Sequence, residues 1–371
     1  MTSTTRAYFH NLDELTLRFP LVPGGKPRCL DLEARIVQVQ TRAKDAAAGG
    51  KDALDRGAGA LNLAALLLSD GGHPDLARQL CRQQALLFRE GRPFTVDVAK
   101  LSLQPLINLG RLHAREGDAD AAYRTFEGLL NAVRDLGDVR IGATTTHLHN
   151  LVVGAGHAEL VKWVWRVLLH DGTRALTRAG RWKEALEHLT RHHGIGERLL
   201  EGRQVAVLAQ ATAEAGFEML ARSVPTESWE RPMAACLYAL LLARAGRASA
   251  SATATMIKAF LEYRPPRQQV VFYVRLGLTV LGLCTDAAQA SPVAKQIIAE
   301  AITSRDAYAA RELLPQALPV IDGEEPIVVL TALVQGAGLG ERIPVGVVES
   351  VMDAALMAEA ALRDILSIGM W

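Results

Sequence analysis

The segment from Leu109 to Phe126 constrains the fold of this chain more than any other part of the sequence. Apolar and small residues recur at helical spacing on both sides of Gly117-Asp118, a pair that is typical of a tight turn. Gly117 can adopt the positive φ that ends a helix, and the small Ala122 allows two helix backbones to approach closely. The segment therefore predicts two helices that pack back on each other.

Three weaker copies of this pattern occur elsewhere in the chain. Each has a turn glycine followed five residues later by a small residue, and these pairs are Gly72 and Ala77, Gly180 and Ala185, and Gly246 and Ser251. The four turn glycines are separated by 45, 63 and 66 residues. The longer spacings leave room for an additional helix pair, and we expect one further turn near Gly216.

The pattern resembles the tetratricopeptide repeat (TPR), a helix pair that recurs every ~34 residues. The family positions are occupied by Leu109, Gly110, Gly117, Ala122 and Phe126, whereas His113 stands where an aromatic residue is usual. The resemblance covers residues 60–263. It implies an all-α protein, a right-handed α-solenoid of irregular TPR-like helix pairs, which binds peptides or proteins in a concave groove.

The composition supports this fold class and limits the functions to consider. Half of the chain is hydrophobic (49%) but only 5% is aromatic, and the formal net charge is +1, so no overall field attracts nucleic acid or membranes. The four cysteines form no Cys-x-x-Cys pair, which argues against a zinc ribbon or a disulfide framework. The N-terminus has no signal-peptide pattern, and no apolar run is long enough to span a bilayer. We expect a cytoplasmic protein without a membrane partner.

The repeat pattern disappears after Pro265-Pro266, although helical periodicity continues. We predict helices over 267–285, 290–303, 305–314, 325–335 and 344–367, separated by breakers such as Ser291-Pro292 and Pro319. The predicted organisation is an N-terminal lead-in with the first helix (1–50), TPR-like repeats (51–264) and a helical C-terminal cap stacked on the array (265–371).

The segment 190–204 carries the strongest candidate site. His192 and His193 precede Gly194 and Gly196, and the charged and polar residues on the predicted helix that follows are Arg198, Glu201, Arg203 and Gln204. Backbone N–H groups at the two glycines, beside a helix start, could bind a phosphate or carboxylate. The alternative is a loop between repeats with a close helix crossing, which would also explain Gly202 inside a helix.

His147 and His149 form a second candidate, within Thr144–Asn150. They would share a face of a strand but would point apart on a helix. We favour a helix start capped by threonine, and since the sequence nearby offers no obvious further ligands, we expect no metal site.

The region from Lys162 to Arg203 has nine Lys/Arg against five Asp/Glu, with Trp163, Trp165 and Trp182 among them. This composition allows RNA binding, in which the tryptophans stack on bases. Core packing of the tryptophans and solvated helix faces explain the same residues, and we favour that interpretation.

Two functions follow from these observations. The first is a binding scaffold or regulator that holds a polar or acidic partner, most readily a protein or peptide. The second is a cofactor-free transferase that uses an acyl or aminoacyl donor, carried on a carrier or a tRNA, with a histidine base drawn from His192, His193, His147 or His149. No phosphate-binding loop, serine-nucleophile motif or zinc-protease motif is present, so we expect no cofactor. The oligomeric state stays open.

Overall fold

The computed structural model describes residues 12–24, 27–89, 92–142, 144–152, 154–317 and 323–369. These residues are mostly helical, which agrees with the all-α expectation. Strand structure within the described ranges is confined to one two-stranded hairpin and one isolated bridge, Phe94 to Val152. Across those same ranges, no helix combines the length and the apolar character that a bilayer crossing requires.

The elements follow one another as helices with a single hairpin near the middle of the chain. In order they are α1 Leu12–Leu17, α2 Leu32–Ala47, α3 Ala53–Asp70, α4 Pro74–Leu87, α5 Val96–Arg115, α6 Ala119–Arg134, β1 Asp138–Ile141, β2 Thr144–His147, α7 Gly156–Val167, α8 Thr173–Arg178, α9 Trp182–Arg191, α10 Glu201–Leu208, α11 Ala213–Ala221, α12 Glu230–Arg244, α13 Ala250–Glu262, α14 Val270–Gly282, α15 Ala287–Ser304, α16 Ala307–Ala317, α17 Glu325–Gly336 and α18 Val345–Ile368. A π-helical turn, Leu168–Gly172, joins α7 to α8, and a 3₁₀ turn, Arg267–Gln269, precedes α14.

The chain divides into two compact units. The first comprises Met1–Leu30 and Leu176–Ala337, and the second comprises Asp31–Ala175 and Gly338–Trp371. In the second unit, α3/α4 and α5/α6 form successive helix pairs, in which α5 also contacts α3 and α7. In the first unit, α10/α11, α12/α13 and α14/α15 pack as neighbouring pairs.

All four predicted turn glycines end a helix with a positive φ, as their spacing predicts. The φ angles of Gly72, Gly117, Gly180 and Gly246 are 77°, 86°, 76° and 65°. A side chain at such a φ is strained, so each position favours glycine. The helix–turn–helix interpretation of the four segments is therefore confirmed at the backbone level.

The small residue five positions after the glycine is buried in three of the four copies. Ala77, Ala122 and Ala185 are fully covered, but Ser251 is exposed. Helix α13 begins four residues after its turn glycine, whereas α4, α6 and α9 begin two residues after theirs. This delay moves the inward face two residues along the chain, so the small buried residue is Thr253 and the prediction for Ser251 is wrong.

The pair α5/α6 shows why Leu-Gly precedes the turn. A Cβ on Gly110 would lie 2.7 Å from two ring carbons of Phe126, so only glycine lets the buried ring sit against α5. The carboxylate of Asp118 caps α6 by accepting a hydrogen bond from the backbone N–H of Ala121 (2.8 Å). Local capping and close packing thus stabilise the same turn.

The irregular spacing of the turn glycines has two causes. An additional pair, α10/α11, lies between Gly180 and Gly246, as expected. Gly216 is not its turn, since it lies inside α11, where a Cβ would be 2.7 Å from a Leu241 methyl carbon. Between Gly117 and Gly180 the insertion is the β1–β2 hairpin rather than a helix pair.

The last helix packs against the first helices of its unit. Helix α18 contacts α2 and α3 and buries Val351, Ala355, Ala358 and Leu362. The helices predicted after Pro266 occur within a few residues of their expected bounds, but Pro292 does not break α15, which begins earlier under the Asp286 cap (2.9 Å to the N–H of Gln289). Pro319 lies outside the described residues. Residues 265–371 divide between the two units, and the boundaries 1–50, 51–264 and 265–371 stay a prediction.

Candidate functional site

The two histidines of the first candidate site form the end of α9. His192 is the C-cap residue, and His193 adopts a left-handed conformation with φ 52°. The backbone N–H of Gly194 donates to the carbonyl of Leu189 (2.7 Å), and that of His193 donates to Thr190 (3.2 Å). These two hydrogen bonds form a Schellman motif. The N–H of Gly194, expected to face an anion, is therefore used to end a helix.

The segment after this cap is not helical until Glu201, so Arg198 does not lie on the helix predicted for it, whereas Glu201, Arg203 and Gln204 do. Residue Gly202, in the first turn of α10, packs directly against the cap. A Cβ there would lie 2.0 Å from the carbonyl oxygen of Gly194. The predicted close approach at Gly202 is real, but the approaching group is the backbone of the chain itself. A carbonyl oxygen beside a helix start also disfavours an anion at that point.

Arg198 forms an ion-pair cluster with two glutamates, one just before α12 and one at its first position. Its guanidinium donates to Glu227 (2.7 Å) and to Glu230. Glu230 is fully buried and accepts further hydrogen bonds from the backbone N–H groups of Leu199 and Glu227 and from the Thr226 hydroxyl (all 3.2 Å). The cluster joins the 195–200 segment to α12.

The hydrogen bonds of this cluster favour the charged forms of Arg198, Glu227 and Glu230. The hydrogen bonds to Glu230 and Glu227 raise the pKa of Arg198. Burial by itself would raise the pKa of Glu230, but hydrogen bonds from Arg198 and from the backbone outweigh it and lower that pKa. The hydrogen bond from Arg198, together with one from the Trp229 indole (2.9 Å), lowers the pKa of Glu227. Arg198 is thus already compensated by carboxylates, which weakens its interpretation as an anion-binding residue.

The remaining candidate residues differ in exposure. Arg203 and Gln204 are buried on α10. The side-chain amide of Gln204 donates to the carbonyl of Leu199 (2.8 Å). A terminal nitrogen of Arg203 contacts the Met219 sulfur. Glu201 is half-buried, and Gly196 is exposed. The rings of His192 and the buried His188 lie 4.9 Å apart between centroids. The structure therefore brings the segment together as a packed junction between α9, α10 and α12.

The second candidate, at His147 and His149, is on the hairpin and not at a helix start. Thr144 to His147 form β2, paired antiparallel to β1 with Asp138 opposite His147. The helix start that we favoured from the sequence is wrong, because the β-branched threonines and alternating burial fit a strand. Val139, Ile141, Thr146 and Leu148 point inward. His147 and His149 lie in the second unit, whereas His192 and His193 lie in the first.

The strand geometry brings a carboxylate to these histidines, which the sequence separation had hidden. The His147 Nδ1 lies 2.7 Å from the Asp138 carboxylate, and the two imidazole rings are 5.8 Å apart. All three side chains are exposed. Register across a hairpin was the signal that could have found Asp138, had the hairpin been recognised.

The tryptophans of the basic region pack at least partly into the protein. Trp163 and Trp165 are half-buried against the core of the second unit, in line with the core-packing interpretation, and Trp182 opens α9 half-buried. Lys162, Arg166 and Arg178 are exposed.

A polar stripe that the sequence analysis did not single out runs along α5. It consists of Gln104, Asn108, Arg111 and Arg115, spaced so that they share one helix face. Asn108 donates to Asn62 on α3 (2.9 Å), and Arg111 binds Asp171 in the π-helical turn after α7 (2.8 Å). Arg115 contacts Ser69 and Asp70 of α3 (3.0 and 3.1 Å). We call these α5 residues with Asn62 and Ser69 the α5 stripe.

The charges of the α5 stripe are unequally compensated. Asp70 is buried and also binds Arg35 (2.7 Å), so two guanidinium groups share one carboxylate. The side chain of Arg115 is 30% exposed and that of Arg111 is 45% exposed. The stripe therefore presents amide groups and two partly exposed guanidinium groups to solvent.

Comparison with known proteins leaves these sites to be interpreted from their own geometry. No protein-family model matches the chain. No curated protein matches it either.

Proposed function

We propose that this chain is a TPR-like binding scaffold whose second unit holds a polar or acidic segment of a protein partner along the α5 stripe. The observation that carries the proposal is the position of the stripe. Helix α5 is the first helix of its pair, and its polar residues reach α3 on one side and the turn after α7 on the other. First helices of successive repeats line the groove in TPR-like arrays, so a ligand there would meet this stripe.

The chemistry of the stripe fits an acidic peptide. The side-chain amides of Asn62 and Asn108 can pair with peptide groups, and Arg111 and Arg115 can attract carboxylates. The proposal places the ligand on the second unit rather than at His192–Gln204, because the N–H of Gly194 caps α9 and the carbonyl oxygen of Gly194 lies against the start of α10. The right-handed superhelix and the cytoplasmic location expected from the sequence belong to this proposal.

The transferase alternative stays a prediction from the sequence. Its candidate bases, His147 or His149 and His192 or His193, belong to different units. Gly194, which was to help bind the substrate anion, uses its N–H in the cap of α9.

The test compares quantitative capture of partners by the purified chain and by two double variants. Asn108→Ala/Arg115→Ala removes two residues of the stripe, and Gln79→Ala/Arg124→Ala removes two exposed polar residues from the second helices α4 and α6. We expect the stripe variant to lose about tenfold in affinity for an acidic partner, or about 1.4 kcal/mol, while the control binds normally. Binding should weaken with salt. Equal binding by both double variants would contradict the proposal.

A further inference from the structure

We propose that Asp138, His147 and His149 form a binding site for a divalent transition-metal ion such as Zn²⁺. Each residue offers one ligand atom, and these atoms all lie within 4.8 Å of one another. Two imidazoles and a carboxylate are a ligand set typical of Zn²⁺ and its neighbours in the first transition row.

The hairpin holds the three residues on one face. Asp138 and His147 are directly opposite each other in the β1–β2 register. The backbone N–H of Leu148 donates to the carbonyl of Gly137 (2.9 Å), so pairing continues past the end of β2, and Leu148 is buried. Because side chains alternate along an extended chain, His149 projects to the same side as His147. The inward Leu148 anchors the segment between the two histidines.

The distances suit closure around an ion without a change in the backbone. Zinc–nitrogen bonds are about 2.0–2.1 Å long, so ligand atoms around a tetrahedral ion are about 3.3 Å apart. The three side chains are exposed, and rotation about their own bonds can bring them from the observed spacing to that distance. In the structure, the Nδ1 of His147 and the carboxylate of Asp138 already lie 2.7 Å apart, so small side-chain rotations suffice to aim both at one ion.

The charged groups next to the cluster disfavour a cation held by electrostatic attraction alone, so a bound ion has to form coordination bonds with the ligands. Arg89 donates to the carbonyl of Thr145 (3.1 Å), and Arg92 donates to the carbonyl of His147. These guanidinium groups support the strand but oppose a cation electrostatically. Ca²⁺ and Mg²⁺ depend on several oxygen ligands, of which this cluster offers one residue's carboxylate, so they should bind poorly. An ion with affinity for imidazole nitrogen is the ligand that fits.

Because the three side chains are exposed, an ion bound here would be open to solvent and to other molecules. Three protein ligands leave at least one coordination position of Zn²⁺ to water or to a donor group from another molecule. A bound ion would also join β1, β2 and the residues after β2 at the point where the hairpin interrupts the helix pairs.

Isothermal titration of the untagged chain with Zn²⁺ tests the site. We expect one ion per chain, weaker binding by about tenfold or more in His147→Ala, His149→Ala and Asp138→Asn, and no binding of Mg²⁺ at the same concentration. His193→Asn is the matched control, since it removes an exposed histidine elsewhere and asparagine tolerates the positive φ. Circular dichroism confirms that each variant is folded.

Electron paramagnetic resonance of the Cu²⁺-loaded chain gives a readout that does not depend on affinity. Coupling to two imidazole nitrogens is expected in the wild type and in His193→Asn, and to one in His149→Ala. The proposal is overturned if the wild type shows no saturable Zn²⁺ binding, or if His147→Ala and His149→Ala bind as tightly as the wild type.

Discussion

Glu230 is the residue whose environment has the clearest energetic consequence. It is a fully buried carboxylate that binds Arg198 and accepts hydrogen bonds from two backbone N–H groups. A buried charge is tolerated when it is paired and hydrogen-bonded in this way. The role that we assign to Arg198 is therefore structural, because removing it would leave Glu230 buried without its cation.

The lowered pKa values of Glu230 and Glu227 predict acid sensitivity. Both lie below the ordinary 4.5 of glutamate, so the folded chain holds these protons less tightly than the unfolded chain. The stabilisation is fully present above pH 4.5 and is lost as the pH falls through the lowered folded values. We expect Glu230→Gln to be less stable than the wild type at neutral pH, and the difference to shrink in acid.

Urea denaturation at several pH values measures this difference. Glu197→Gln is the control, because it removes an exposed carboxylate from the same segment. The pH dependence of the wild type alone does not isolate Glu230, because Asp306 changes the stability in the opposite direction. Burial raises the pKa of Asp306, so its protonation favours the folded state. A stability difference for Glu230→Gln that does not change with pH would contradict the prediction.

At the scale of elements, the junction between α9 and α10 depends on one absent side chain. The Cα of Gly202 lies so close to the carbonyl of Gly194 that a methyl group has no space. The helix start therefore depends on the loop that precedes it. Gly110 is required for the same reason, because a Cβ there would collide with the ring of Phe126.

We predict that Gly202→Ala destabilises the first unit by about 1–3 kcal/mol or more, even though alanine is the better helix former by about 1 kcal/mol. The reason is displacement of α10 from the α9 cap. Thermal unfolding followed by circular dichroism measures the effect, with Gly196→Ala as control because no atom lies within 4 Å of its added Cβ. If the two variants unfold at the same temperature, the close approach has no energetic consequence.

At the scale of the molecule, the second unit is completed by residues from distant parts of the chain. Helix α18 lies against α2 and α3, and a Cβ on Gly57 would lie 2.8 Å from a Leu362 carbon. A unit that contains both the early helices and the last one depends on contacts of long sequence separation. Loss of the last helix would therefore uncover apolar surface on α2 and α3.

We expect Leu362→Ala to destabilise the second unit by about 2–5 kcal/mol, because it leaves a cavity in a fully buried position. Leu356→Ala, on the same helix but 57% exposed, should change stability by about 0.5 kcal/mol or less. Hydrogen exchange of amides in α2 and α3 locates the effect. Equal protection of these amides in both variants would show that α18 does not stabilise them.

Local sequence determined the helices and their turns. The four glycines at helix ends were predictable because a positive φ and a following cap are properties of a few neighbouring residues. The same holds for the predicted helices after Pro266. The prediction for Ser251 was wrong because the residue pattern did not reveal that α13 begins two residues later after its turn glycine than the equivalent helices do.

Only the tertiary structure decided which residues meet. Arg198 with Glu230 and α18 with α3 are separated by 32 and about 290 residues, and no local pattern encodes such distances. The candidate site at 192–204 was recognisable as unusual, but its Gly202 packs against the backbone of Gly194, and its Arg198 pairs with carboxylates of the same chain. Helix formation depends on near neighbours, whereas a site depends on which surfaces burial of the apolar faces brings together.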